Sequence, residues 1–230
     1  MVTSFPFLAG LSLAAVMAGG CSSETLFRSN FDANPDNQPP AHAQDVGTVN
    51  VDGPPGSVVV VPPPVTPSGK WVRISRATSD SPVAGLQGNA IAQRGDGTYN
   101  VSATMFIPGG SGLATIQFEP FNQPVGTLTN FLHIDFMKEN DVRIDDNESM
   151  RFGSFTRAKP FIVQVTLDIG ATSTAHIVLS GDGASGTADA AVAAPFRPMA
   201  RQFGAVRAWM GFPWTGSFQV TTMAITRRTS

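Results

Sequence analysis

The stretch FIVQVTLDI, residues Phe161–Ile169, is followed after a turn at Gly170 by AHIVL, residues Ala175–Leu179. In both segments apolar side chains occupy every second position and polar side chains lie between them. This period of two places the apolar side chains on one face of an extended chain. Two such segments joined by a short turn predict an antiparallel hairpin with one buried face.

The same alternation recurs in both directions from this hairpin. Val58–Val61 is β-branched throughout, which favours a strand buried on both faces. In the last segment, Phe218–Thr226, the apolar positions change phase, which predicts a β-bulge near Thr221 and Thr222. Other predicted strands are Leu26–Asp32, Val46–Val51, Lys70–Arg76, Tyr99–Ile107, Leu113–Phe118, Leu132–Phe136 with Val142–Ile144, and Gly204–Met210. Roughly a dozen short strands separated by turns predict an antiparallel β-sandwich.

The composition agrees with one all-β domain, predicted over residues 26–230. Of 230 residues 42% are hydrophobic and 14% charged, so the chain can bury a core. The 23 glycines and 18 prolines favour many turns over long helices. The formal net charge is −2 with no basic cluster beyond Arg227-Arg228, which argues against a nucleic-acid partner.

The N-terminus has the pattern of a targeting segment. Residues 5–20 read FPFLAGLSLAAVMAGG, an uncharged apolar run that is shorter than the roughly 20 residues of a membrane-spanning helix. Small residues crowd its end, as at a signal-peptide cleavage site, and residues 1–20 are predicted to be a signal peptide. Cys21, the only cysteine, follows directly and has no partner for a disulfide.

Ala18-Gly19-Gly20-Cys21 resembles a bacterial lipobox, although that family usually carries Leu where this chain has Ala18. The resemblance implies lipidation of Cys21 after cleavage, with residues 21–25 as a short tether and the lipid (palmitate among its acyl chains) as the membrane contact. Ser22 stands where inner-membrane lipoproteins carry Asp, which implies an outer-membrane lipoprotein facing the periplasm or the surface. The alternative is an ordinary secretory signal with an incidental cysteine.

The order of strands resembles the jelly rolls of the concanavalin A-like lectin/glucanase superfamily. The resemblance is carried by Asn30-Phe31-Asp32 before a Pro-rich loop, by the hairpin Leu132–Phe136 to Val142–Ile144, and by the closing segment Ser217–Arg227. It implies that the final strand returns beside the first. Members of that superfamily bind carbohydrates, hydrolyse glycans, cleave polysaccharides as lyases or serve in adhesion, so the fold alone does not choose a function.

Catalytic patterns of that superfamily are missing from the sequence. Its family-16 glucanases carry Glu-x-Asp-x-x-Glu on one strand, and this chain has no such run. Its alginate lyases use Gln-x-His with a Tyr partner, but His133 has no Gln two residues before it, and Tyr99 falls on an apolar face. We therefore predict no catalytic residues.

A ligand surface is predicted from the aromatic residues. In Trp209-Met210-Gly211-Phe212-Pro213-Trp214 a turn is expected to lift Trp214 outwards, where its ring can stack on a sugar. Arg207 and Trp71 are expected on the same face. No cofactor is expected, and the alternative is a structural calcium ion on turn carboxylates. The candidate ligands are Asp145, Asp146, Glu148 and Asp182.

These observations favour a lipid-anchored, non-catalytic module of the cell envelope that binds a polysaccharide or an envelope partner. The alternatives are a polysaccharide-active enzyme of the same fold, either a glycoside hydrolase or a lyase, and a purely structural lipoprotein.

Overall fold

The computed structural model describes residues 22–65, 69–110, 112–124 and 129–229. The predicted signal peptide and Cys21 lie outside these residues. Within them no helix has the length or the apolar character needed to cross a membrane. The strands are β1 Ser22–Arg28, β2 Thr48–Asp52, β3 Val58–Val61, β4 Trp71–Arg76, β5 Ala84–Asn89, β6 Gly97–Phe106, β7 Ala114–Pro120, β8 Leu132–Phe136, β9 Asp141–Ile144, β10 Asn147–Phe155, β11 Pro160–Ile169, β12 Thr174–Ser180, β13 Ala184–Ala191, β14 Phe203–Met210 and β15 Gly216–Thr229. A 3₁₀ turn, Ala194–Phe196, and the one-turn helix α1, Arg197–Ala200, precede β14.

All strand pairs are antiparallel, and hydrogen bonding runs in the order β2-β5-β14-β7-β8-β9-β10-β13-β12-β11-β6-β15-β4-β3, with β1 beside β15. We call the first six strands of this order the front half and the others, with β1, the back half. The halves pack face to face across one apolar core. Phe136 of the front half lies 5.2 Å from Phe161 of the back half, and Tyr99 of the back half lies 5.2 Å from Phe203 of the front half, as ring centroids. The predicted β-sandwich is confirmed.

Several strand predictions are confirmed in detail. The final strand pairs with the first, Thr25 opposite Thr226, as the resemblance implied. All four residues of β3 are buried, which the run of valines predicted. The register of β15 against β6 shifts between Thr221 and Ala224, and Thr222 has a φ of 50°, so the predicted bulge is present. The first strand begins at Ser22, four residues earlier than predicted.

Candidate functional site

A row of polar side chains crosses five strands of the front half. Register pairs place Asn50 opposite Gln87, Gln87 opposite Arg207, Arg207 opposite Gln117, and Gln117 opposite His133. Their sequence neighbours point into the apolar core, so the row lies on the outward side of the front half. We call this side the polar face; its outward side chains are Asn50, Asp52, Gln87, Thr115, Gln117, Glu119, His133, Asp135, Arg143, Arg207 and Trp209.

Arg207 is the centre of the polar face and is 1% exposed. Its guanidinium donates a hydrogen bond from Nη2 to Asp52, and Nη1 lies 3.8 Å from Oε1 of Glu119. Glu119 accepts hydrogen bonds from Gln87 Nε2 at 2.7 Å and from Gln117 Nε2. A buried guanidinium needs such partners, because an isolated charge is very costly to remove from water. The four strands that supply these side chains are thereby tied together at one point.

Trp209 stacks beside this network. Its ring centroid lies 5.5 Å from the guanidinium carbon of Arg207, a cation–π contact. Space for the indole and the guanidinium comes from two glycines. A Cβ on Gly85 would lie 2.9 Å from Cβ of Trp209, and a Cβ on Gly211 would lie 2.2 Å from its ring. Trp209 keeps part of its surface exposed, so it is the aromatic side chain that the polar face offers to a ligand.

Several buried polar atoms of the face have no hydrogen-bond partner among the described residues. They are Oε1 of Gln87, Oε1 of Gln117, Nε of Arg207 and Nε1 of Trp209. The two glutamine amides orient their nitrogens towards the Glu119 carboxylate, which fixes the oxygens on the other side. Buried polar groups are paired in the great majority of cases, and unpaired ones need an explanation, such as water or a ligand. The buried centre of the polar face therefore contains both donors and acceptors that the described residues leave unpaired.

His133 ends the polar row between two carboxylates. Its Nε2 lies 3.2 Å from Asp135, and its Nδ1 lies 3.3 Å from Asp145. Burial is the largest influence on its pKa and lowers it, but the hydrogen bond to Asp135 and the nearby carboxylates outweigh burial, so the pKa of His133 is raised. The two carboxylates sit on opposite ring nitrogens, and the arrangement is therefore an ion-pair chain and not a shared metal site.

No group of three or more His, Cys, Asp or Glu able to hold a metal occurs in the described ranges. Of the calcium candidates, Asp145 and Asp146 lie in the turn between β9 and β10, each with positive φ. Asp145 accepts a hydrogen bond from the backbone N–H of His133 at 2.9 Å. The structural calcium ion stays a prediction.

Burial raises the pKa of the Glu119 carboxyl, although hydrogen bonds from Gln117 and the charge of Arg207 act in the opposite direction. The folded protein therefore holds this proton at pH values where the unfolded chain, with a carboxyl pKa of about 4.3, has lost it. The folded state then binds more protons than the unfolded state. The contribution of Glu119 to stability is therefore complete below the pKa of the unfolded chain, and it falls as pH rises through the raised pKa of the folded protein.

We accordingly expect the free energy of unfolding of the native protein to fall, relative to that of Glu119→Gln, as pH rises from 4 to 7. Denaturant titrations of both proteins at several pH values measure this difference. Glu139→Gln, at an exposed turn position, is the matched control and should give a flat difference. A difference that grows in favour of the native protein with rising pH would show that the pairing with Arg207 outweighs burial.

The predicted ligand residues do not all come together. Arg207 and Trp209 are in contact on the polar face. Trp71 lies elsewhere, in a small cluster with Val59, Val61 and Phe106 that is separate from the main core. Its neighbours Val72 and Ile74 point into the core from the back half, so Trp71 faces outward on the opposite side of the sandwich. The expectation that Trp71 and Arg207 share a face was wrong.

The turn after β14 presents a different aromatic from the one expected. Trp214 is partly buried and packs against the core, whereas Phe212 is 73% exposed. The backbone N–H of Trp214 donates to the carbonyl oxygen of Gly211 at 3.0 Å, which closes the turn and directs residue 212 outwards. Participation of Trp214 in ligand binding stays a prediction, but the turn does not lift it out of the sandwich.

Sequence reasoning missed three central residues of the polar face. Gln117 and Glu119 continue the alternation of β7, Thr115-x-Gln117-x-Glu119, so a period-two reading carried to Glu119 would have found them. Gln87 lies in β5, AGLQGN, which was not predicted as a strand.

No protein-family model matches the sequence, and a search of curated proteins gives no match. By structure the chain is similar to arcelin-5, a lectin-like defence protein of Phaseolus vulgaris, with a TM-score of 0.51 and 10% identity over 90% of this chain and 99% of that one. It is similar to lectin I of Ulex europaeus, solved with the methyl glycoside of α-L-fucose, with a TM-score of 0.51 and 11% identity over 89% and 97%. A Trypanosoma rangeli sialidase mutant displaying trans-sialidase activity gives a TM-score of 0.52 and 14% identity over 90% of this chain but 31% of that one. At such identities the likeness shows the fold alone, and it confirms the predicted concanavalin A-like jelly roll.

Proposed function

We propose that this chain is a non-catalytic carbohydrate-binding protein that holds a polysaccharide against the polar face. The observation that carries the proposal is Trp209, a partly exposed indole stacked on the buried guanidinium of Arg207 within a row of polar side chains. The flat apolar face of an indole stacks on the C–H groups of a sugar ring. The guanidinium holds the indole in place, so little conformational entropy is lost when a ligand binds.

Hydroxyl groups of a sugar need both donors and acceptors, and the polar face supplies both. The Asp52 carboxylate accepts hydrogen bonds, while Arg143 and His133 donate them. Asp52, His133 and Arg143 keep 22%, 27% and 17% of their side chains exposed, so they form a reachable rim around the buried centre. The fold is also that of lectin I, solved with a fucoside, which supports a sugar as ligand.

The test is binding of the full chain to a panel of neutral and acidic polysaccharides, by glycan array and then affinity electrophoresis. Trp209→Ala should weaken retention of the ligand at least tenfold, roughly the effect of removing a central aromatic contact. Trp209→Phe keeps an aromatic ring and should retain most of the affinity. Phe196→Ala removes an exposed aromatic outside the polar face and is the control. Unchanged retention by Trp209→Ala would show that the polar face is not the binding site. If the native chain bound no polysaccharide, a structural role would be favoured.

A polysaccharide-active enzyme is the second candidate, and Glu119 is the observation that favours it. A buried carboxyl whose pKa is raised keeps its proton to a higher pH than an ordinary glutamate does, and it can give that proton to a leaving group. Assays of reducing ends and of unsaturated products on the purified protein separate the two candidates. Product formation that is lost in Glu119→Gln would establish the enzyme, and its absence with bound polysaccharide would leave the binding protein.

The lipid anchor at Cys21 and the place of the protein in the outer membrane are proposed from the lipobox resemblance alone. Two or three acyl chains hold a protein firmly, while a single chain gives only marginal binding. In cells that make the full chain, radiolabelled palmitate should enter the native protein and not Cys21→Ala. Equal labelling of both proteins, or labelling of neither, would contradict lipidation at this residue.

A further inference from the structure

A pocket of about 550 Å³ lies on the outer side of the back half, away from the polar face. It opens between the end of β1, the start of β4 and the bulge of β15. The residues that give it chemical character are Asn30, Asp32, Asp45, Lys70, Trp71 and Thr222. Pockets of 300–1,000 Å³ are the usual size for small-molecule ligands, so this one has room for one or two sugar rings.

The polar lining of the pocket is held by its own hydrogen bonds. The Asp32 carboxylate accepts from the backbone N–H of Lys70 at 2.8 Å, and the backbone N–H of Asp32 donates to the Asn30 side chain at 3.1 Å. The Asn30 amide in turn donates to Asp45 at 3.3 Å. Because each carboxylate is held through one oxygen, the other oxygen has no partner among the described residues. The acceptors are therefore positioned before any ligand arrives.

The buried wall of the pocket is Trp71, which is 5% exposed and packs on Val59, Val61 and Phe106. Its indole Nε1 is buried and has no hydrogen-bond partner in the part of the chain that the structure describes. An indole N–H that is buried usually finds one. The pocket thus combines an apolar aromatic edge with two carboxylate acceptors.

The charge of the pocket selects among ligands. The Lys70 ammonium turns to Asp36, 3.0 Å away, and to the carbonyl oxygen of Asn34, so it is already neutralised. Asp32 and Asp45 then leave the pocket negative, and an anionic sugar would be repelled. Among the described residues no group of three or more His, Cys, Asp or Glu side chains gathers here to hold a cation. A neutral molecule rich in hydroxyl groups fits these conditions.

We propose that this pocket is a second binding site, specific for a neutral sugar unit. It does not depend on the polar face, and the two lie on opposite outer sides of the sandwich. A chain that binds on both sides joins two glycan strands, and the second binding event gains from the first through effective concentration.

The experiment is isothermal titration of the full chain with cellohexaose, laminarihexaose, maltohexaose and mannohexaose, with oligogalacturonate as the anionic probe and calcium chloride as the cation probe. At least one neutral hexaose should bind, and Asp45→Ala should weaken it about tenfold, as expected for losing a charged acceptor. Trp71→Phe, which replaces the indole by a smaller aromatic ring and so shortens the apolar wall, should weaken it by a smaller factor. Asp80→Ala, an exposed aspartate outside the pocket, should bind like the native chain.

The variants separate this site from the polar face. Loss of binding in Asp45→Ala but not in Trp209→Ala supports the pocket even where the polar face fails, and the reverse pattern overturns the pocket and leaves the polar face. Unchanged binding in both Asp45→Ala and Trp71→Phe overturns the second site. Oligogalacturonate that binds as tightly as the neutral sugars, or calcium binding that disappears in Asp45→Ala, also overturns it.

Discussion

Arg207→Met is expected to lower the free energy of unfolding by about 3–5 kcal/mol, the usual cost of removing one partner from a buried ion pair. The guanidinium is 1% exposed, pairs with Asp52 and lies 3.8 Å from Glu119. Methionine has a similar volume, so the change removes charge and hydrogen bonds without opening a large cavity. The affinity for a polysaccharide on the polar face should fall as well, because Trp209 loses the group on which it stacks.

Denaturant titration measures this loss, and a second variant identifies its cause. If the cost comes from a buried carboxylate left unpaired, Arg207→Met combined with Glu119→Gln should be more stable than Arg207→Met alone. Arg201→Met removes an exposed guanidinium that pairs with Asp96 at 2.8 Å, and it should change stability little because water already screens that pair. An Arg207→Met protein as stable as the native chain would show that the network contributes no net stabilisation.

The sequence predicts the fold because a strand that buries one face has apolar residues at every second position. The hairpin of β11 and β12 and the bulge at Thr222 follow from that period alone. The strand β5 was not predicted because it contains two glycines and no β-branched residue. Its glycines are required by packing that the sequence does not display: a Cβ on Gly88 would lie 2.3 Å from the Phe27 ring, and one on Gly85 would collide with Trp209.

The candidate site is harder to predict than the fold because its row joins strands that are far apart in the chain. Gln87 and Gln117 flank Arg207 from β5 and β7, about a hundred residues before it in sequence, and only the sheet order makes them neighbours. Arg207 and Trp71 were expected on the same face, but Trp71 belongs to the back half. Residue type alone does not say which half of the sandwich carries a side chain.

Arg76 carries the second large effect, through hydrogen bonds and not through an ion pair. Its guanidinium is 3% exposed and donates only to carbonyl oxygens among the described residues. Three of these belong to Ser79, Ser81 and Pro82, and two belong to Gly211 and Trp214. One side chain therefore joins the turn after β4 to the turn after β14. The second of these turns includes Gly211, whose backbone lies against the ring of Trp209.

We expect Arg76→Met to lower the free energy of unfolding by about 3 kcal/mol, since several buried carbonyl oxygens lose a charged donor at once. Arg76→Lys should recover little of this stability. An ammonium lacks the planar fork of N–H donors with which the guanidinium reaches both turns. Amide hydrogen exchange at Trp214, whose N–H closes the turn, should accelerate in both variants, while Arg151→Met at an exposed position leaves it unchanged. If the lysine variant matched the native protein in stability and exchange, a positive charge at residue 76 would be enough to hold the two turns together. The fork geometry of the guanidinium would then not be needed to fix the turn after β14.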